Sequence, residues 1–221
     1  MPMKKSIRAW FAALLAALML PATLALAPMP VRAADESPAT ADAAKVVETL
    51  HGALLEVMQH ADKLGFSGRV STLEPVINDS FDFPTIARLV MGRYWHGLKA
   101  DQQKQFIEVF SRLSVVTYAS RFDGYDGETF RTVGQDAKGK DSVLVRTELE
   151  KSDHSVVNLD YLVHTDADKH WRIVNVIADG VSDLSLKRAD YGSIMKNDGY
   201  VALISKLNDK IAQYEKPSGG K

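Results

Sequence analysis

Apolar positions recur at helical spacing through the first half of the chain. From Ala43 to about Leu64, the residues Val46, Val47, Leu50, Leu54, Val57 and Met58 share one face, and Gly65 is a stop. A shorter helix is expected from Gly68 to about Ile77. Residues 81–95 read FDFPTIARLVMGRYW, with Phe83, Ile86 and Val90 at helical spacing and Leu89 beside them. Asp82 suits the cap of that helix, Pro84 its first turn and Gly92 its end. The strongest periodicity runs from about Lys99 to Phe122. There Phe106, Phe110, Leu113 and Thr117 form a stripe that Val109 and Val116 widen. The turn D-G-Y-D-G closes this helical half.

After Glu128 the period changes to two. Val143, Val145 and Leu149 alternate with Arg146, Glu148 and Glu150. Val157, Leu159, Tyr161 and Val163 alternate with Asn158 and Asp160, and Trp171 to Ala178 is a further apolar run. Polar turns separate these runs, so the pattern predicts four antiparallel strands in a meander. Helical periodicity returns at Ser182, breaks near Asn197–Gly199 and ends in a last helix from Tyr200 to about Tyr214. Helices gathered around a mainly antiparallel sheet make an α+β fold.

The first residues assign a compartment. MPMKKSIR is basic, AWFAALLAALML is apolar and broken at Pro21, and P-V-R-A-A-D ends the run in small residues. That is the layout of a cleavable secretory signal peptide over residues 1–33, with Ala33 the expected cleavage point and Ala34 nearly as good. An uncleaved anchor is the alternative, although the run is short for a membrane span. Residues 34–44 read as a mobile leader, 45–215 as one domain and 216–221 as a disordered tail.

Export sharpens the composition. Cysteine is absent, which excludes a disulfide framework, a thiolate nucleophile and a thiolate metal ligand. Removing 33 of the 221 residues leaves 188, enough for one domain with a sizeable core. Four of the 27 basic residues and no acid lie in the signal, so 23 bases face 28 acids, a formal charge of −5. That balance, without a basic block, disfavours nucleic-acid binding and tight adsorption to anionic lipid.

Candidate chemistry is sparse. Gly134, Gly139 and Lys140 in GQDAKGKD imitate a phosphate-binding loop, but Asp141 replaces the hydroxyl residue, and a strand rather than a helix follows. A hairpin turn is the expected reading. His164 and His170 flank Asp166 and Asp168 without a paired-ligand spacing, which favours a polar turn over a metal site. Asn78-Asp79-Ser80 is a sequon of a kind common by chance, and Gly65-Phe66-Ser67-Gly68 is not a nucleophile elbow. Asp160 beside Tyr161 raises an enzyme alternative: a carboxylate in an apolar pocket working with a tyrosine in proton transfer or hydrolysis. Adjacent strand residues point to opposite faces, however, so an inward Tyr161 turns Asp160 outward. The remaining feature is apolar area, which periodicity alone cannot divide between filled core and ligand wall. A purely structural interaction protein is a third reading.

Asp82, Phe83, Ala87, Val90, Gly92, Arg93 and Trp95 are followed by Gln103, Phe106 and Phe110, then by Thr117-Tyr118-Ala119-Ser120. With Leu159-Asp160-Tyr161, Trp171 to Val176 and Asp179-Gly180-Val181-Ser182, this order resembles the periplasmic phospholipid-shuttling subunit of the Mla transport system, the toluene-tolerance family. The resemblance spans about residues 45–213. S-D-L-S-L-K-R-A-D-Y after the last turn departs from the family's usual ending and looks like its hopanoid-associated subgroup. The resemblance implies a non-catalytic periplasmic carrier of a phospholipid or a hopanoid-type lipid, with no cofactor. Its implied partners are an inner-membrane ABC-transporter complex and an outer-membrane lipid-transfer complex. It also implies a deep apolar pocket for lipid tails, with the headgroup near solvent. The candidate walls are then Phe83, Ile86, Val90, Trp95, Phe106, Phe110 and Leu113 on helices. On strands they are Val145, Leu149, Leu159, Tyr161, Val163, Trp171, Val174 and Val176.

Overall fold

The computed structural model describes residues 38–216, with side chains from Asp42 onward. The expected signal peptide, the first part of the expected leader and residues 217–221 of the expected tail lie outside the described residues.

Helix α1 covers Pro38–Gln59 and α2 covers Ala61–Ser80. At His60 the chain only bends: His60 N–H bonds Glu56 O at 3.1 Å and Leu64 N–H bonds His60 O at 3.0 Å, so the helical bonding carries on to the stop expected at Gly65. Gly65 adopts φ 59° and ψ −174°, which is not helical, and a second helical stretch starts after it and runs through Pro75 to Ser80. The expected helix over Gly68–Ile77 is the larger part of this element. The short helix α3 covers Phe83–Met91. It is capped as its sequence predicts: Asp82 Oδ1 accepts from Thr85 N–H at 2.9 Å, and Pro84 sits in the first turn. Gly92 ends it with φ 52° and ψ −123°, a conformation open only to glycine. A side chain there would also press on the Arg188 guanidinium, 3.1 Å from the position its Cβ would take.

A 3₁₀ turn over Gly92–Gly97 leads to α4, Ala100–Arg121, whose Phe106, Phe110, Leu113, Val116 and Ala119 are buried. The sheet follows as β1 (Thr129–Ala137), β2 (Ser142–Glu150), β3 (Val156–Thr165), β4 (Trp171–Ala178) and β5 (Val181–Ser182). All neighbours are antiparallel, in the order β1-β2-β3-β4-β5. The expected meander of four strands thus gains a fifth strand of two residues, too short to carry an alternation signal. GQDAKGKD is the β1–β2 hairpin: Lys138 N–H bonds Ser142 O at 2.8 Å across the turn. Helices α5 (Asp183–Asn197) and α6 (Gly199–Glu215) complete the chain.

One face of the sheet carries the core. Val143, Val163 and Ile173 lie in one cross-strand row, and Val145, Tyr161 and Val176 in the next. Thr147, Leu159 and Ala178 form a third row. Helix α1 lies against this face and contacts strands β1 to β4, while α2, α3 and α5 meet the sheet at β4. Helix α4 packs behind them, on α2, α3 and α6. The buried residues of both layers form one continuous apolar cluster. No helix among the described residues is long and apolar enough to cross a membrane.

Candidate functional site

All fifteen candidate wall residues belong to this interior. Twelve are buried, and Trp95, Trp171 and Val176 are half-buried against the cluster. The strand choice has the right face: Val145, Leu149, Leu159, Tyr161 and Val163 point inward, while Asp160 lies half-exposed on the other side. Burial pushes the Asp160 carboxyl up, and the nearby Arg146 guanidinium opposes that shift. Asp160 and Tyr161 therefore do not form a joint catalytic pair.

On β4 a bulge alters the alternation. Leu162 pairs with Asn175 but Val163 pairs with Ile173, so Val174 is the extra residue. The inward row comes to include Ile173, which is fully buried and absent from the expected wall.

The interior is organised by aromatic rings that the sequence does not group. Phe106 stacks on Phe110 at 5.8 Å, and Phe110 meets Phe83 edge-on at 5.9 Å. Phe83, Phe81, Tyr118 and Phe122 continue at 5.7, 6.0 and 5.8 Å. Phe122 then reaches Phe130 at 6.5 Å, and His51 stacks on Phe130 at 4.0 Å. His51 Nε2 lies 3.0 Å from Tyr161 Oη, which ends the file on the sheet. Ring pairs in these offset and edge-on arrangements add to their area burial.

His51 is a titratable group set deep in this file. It is 4% exposed, and burial pushes its imidazole down to about 4, so the ring is neutral at pH 7. Burial likewise pushes the Tyr161 hydroxyl well above its usual range. The signal available in the sequence was a lone histidine on the Val47–Leu50–Leu54 face of α1.

Two other polar groups fix elements around the interior. His164 Nε2 lies 2.7 Å from Asp82 Oδ2 and ties β3 to the cap of α3. Burial disfavours the Asp82 charge, but hydrogen bonds from Thr85 and His164 outweigh it and hold the carboxyl below its usual range. Asp166 closes the β3–β4 turn through the N–H groups of Asp168 and His170, both at 2.9 Å, and accepts from Arg172 Nε at 2.7 Å. Arg172 also donates to the carbonyl of Asp79, joining the turn to the end of α2. The hydrogen bond from Arg172 holds the Asp166 carboxyl down and raises the guanidinium in turn. The segment that suggested a metal is thus a hydrogen-bonded turn, and no group of three metal-ligating side chains occurs among the described residues.

Two surface clefts border the interior. One of about 270 Å³ lies at the α1–α2 junction, between Met58 and Lys63 on one side and Gly124 and Tyr125 on the other. The other, about 550 Å³, lies between the start of α1, the end of α2 and the first residues of β4, with Val46 and Trp171 in its wall.

This arrangement offers apolar burial and mutually satisfied polar pairs. Residues 48–209 match the sequence model of a family described as MlaC protein. Among solved structures, the chain is similar to a phospholipid-binding protein from Ralstonia solanacearum in complex with a phospholipid. The match has a TM-score of 0.67 at 21% sequence identity and covers 81% of this chain and 100% of that one. At this identity the likeness speaks for the fold.

Proposed function

The chain belongs to the MlaC protein family, and from that premise we propose that it is a periplasmic lipid carrier without catalytic activity. The observation that carries this reading is the continuous apolar interior between the sheet and the helices. It includes every expected wall residue, on a fold shared with a protein solved with a phospholipid bound. The tails of a phospholipid would lie between the ring file and the inward face of β2, β3 and β4.

The energetics suit a shuttle. Each buried CH₂ group is worth about 0.8 kcal/mol against water, so a two-tailed lipid faces a very large barrier to crossing water alone. The same lipid is already buried in a bilayer. A protein interior need only match the bilayer for transfer to run near equilibrium, and direction then comes from the partners. We assign these to an inner-membrane ABC-transporter complex and an outer-membrane lipid-transfer complex. The excess of acids over bases in the expected mature chain supports docking through protein rather than through anionic lipid. Fast transfer between bare anionic vesicles, with neither complex present, would count against that docking mode.

The deciding experiment is native mass spectrometry of residues 34–221, with organic extraction of any adduct. An adduct of phospholipid mass is expected. An adduct of polycyclic, hopanoid mass would keep the carrier and change its cargo, as the S-D-L-S-L-K-R-A-D-Y ending of the sequence suggests. A bare protein mass that persists after incubation with vesicles would overturn the reading and leave the interior as ordinary core.

A further inference from the structure

The arginines of this protein divide into two groups. Arg112, Arg131, Arg146 and Arg172 each hold a carboxylate. Arg69 is buried and donates to the carbonyls of Ala119 and Ala61, and Arg121 bonds Tyr214. Among the described residues three arginines remain: Arg88, Arg93 and Arg188. All are exposed, and none forms an ion pair with a described residue.

The fold gathers these three on one surface. Arg88 lies in the last turn of α3, and Arg93 follows Gly92 in the 3₁₀ turn. Helix α5 packs on both, and its Arg188 guanidinium lies against Gly92. Arg88 donates to Thr85 Oγ1 at 3.4 Å. Arg93 donates to the Tyr94 hydroxyl at 2.9 Å, with its guanidinium 5.0 Å from the centre of that ring. Contacts with neutral groups orient a guanidinium and leave its charge in place. One turn before Gly92 stands Leu89, an exposed large apolar side chain. The expected mature chain has more acids than bases, yet this face carries cations that no carboxylate offsets. Like charges brought together repel, so the free chain gains nothing from the arrangement.

We propose that α3, the 3₁₀ turn and α5 form a docking surface for a partner protein that presents carboxylates around an apolar side chain. The carboxylates pair with Arg88, Arg93 and Arg188, whose planar forks match them in geometry, and the apolar group covers Leu89. One basic face on an acidic chain also orients the encounter: an acidic partner is repelled elsewhere and drawn here. Neither surface cleft is lined by any of the three arginines, so the surface suits a protein face rather than a small anion. The inner side of α3 carries Phe83, Ile86 and Val90 of the buried cluster, so the partner sits on an element that encloses the interior. The inference deepens the carrier reading by naming the face that meets a partner.

The test expresses the full-length chain in cells of its own host with a photo-crosslinking residue in place of Leu89. A second version carries it in place of the exposed Val133 on β1, the far strand of the sheet. Captured peptides are then sequenced. Position 89 is expected to capture a segment of another protein in which acids outnumber bases, and position 133 is not. Adding Arg88→Gln/Arg188→Gln should lower the yield at position 89 about fivefold. Arg88→Lys/Arg188→Lys keeps the charge and should lose about twofold or less. Both pairs of changes lie on the surface, so Tm should stay within about 2 °C of the parent. A lipid adduct would make this face a membrane contact, and an adduct with a second copy of this chain would make it a self-interface. Either result overturns the proposal, as does a captured segment without an acidic excess, an unchanged yield in the glutamine variant, or no adduct. The lipid content of the same wild-type protein, read by native mass spectrometry, separates the two readings. Lipid without the acidic adduct overturns the surface alone, and the acidic adduct without lipid overturns the carrier alone.

Discussion

Between pH 7 and pH 4 the wild-type protein loses about 3 kcal/mol of stability that a His51→Phe variant does not lose. The cause is the neutral imidazole held between Phe130 and Tyr161. Its folded-state pKa of about 4 lies below the ordinary histidine value of 6.5. Between those values the unfolded chain binds a proton that the folded chain refuses, so stability rises with pH across the window. The contribution is fully present above pH 6.5. It declines as the pH falls towards 4, and below 4 both states are protonated and nothing more is lost. Tyr161 does not titrate in this range, because burial moves its hydroxyl further up. Asp82, with its lowered pKa, contributes its own loss only at lower pH, on both proteins alike. Phenylalanine keeps the stacking partner for Phe130 but leaves the Tyr161 hydroxyl buried without its nitrogen, at a cost of about 1–3 kcal/mol at pH 7. Urea unfolding at pH 7, 6, 5 and 4 should give converging stabilities for the two proteins. Parallel curves would mean that His51 is not the group that titrates.

Phe106→Ala should lower the stability of the lipid-free protein by about 3–5 kcal/mol. For a domain of this size that is a fall in Tm on the order of 10 °C. Phe106 is fully buried, stacks on Phe110 and meets Tyr191 edge-on at 6.2 Å. Truncation removes a ring from the end of the file, and the rigid neighbours Phe110 and Tyr191 limit how far the space can collapse. The lipid-loaded protein should behave differently. If Phe106 is wall, an acyl chain can move into the vacated volume, and the deficit should shrink to less than half. Calorimetry of loaded and lipid-free protein distinguishes the cases, and an equal deficit in both would make Phe106 plain core.

The sequence carried the elements better than it carried their junctions. The α3 boundaries were legible because each end has its own chemistry, an Asp82–Pro84 start and a Gly92 stop. Strand alternation gave the inward face because one face is buried and the other is not. The stop at Gly65 was legible because glycine takes the positive φ that ends the first helix, whereas the bend at His60 lies inside continuing helical bonding and carries no such signal. Ile173 was missed because a bulge costs one residue of register, and nothing in an apolar run reveals where that residue falls. The ring file joins residues 51, 83, 110, 130 and 161 through tertiary contacts alone, so local periodicity could not assemble it.

The two sides of the sheet end differently, and this bears on how exposed strand borders are kept from pairing with a foreign strand. Beyond β4 the free peptide groups are taken at both ends. Phe81 bridges Ile173 in parallel, Asp82 N–H bonds Ile173 O at 3.0 Å, and β5 pairs with Ile177 and Ala178. The opposite side is β1, where Val133 bulges out of register between Thr132 and Gly134. Arg131 pairs there with Glu148, and Asp136 with Arg146. A bulged, charge-bearing border is a poor template for a foreign strand. A carrier that parts its layers to release cargo briefly exposes apolar surface, and open strand borders would then invite one copy to zip onto another. With one border occupied and the other irregular, exposure of the interior need not become fibrillar aggregation.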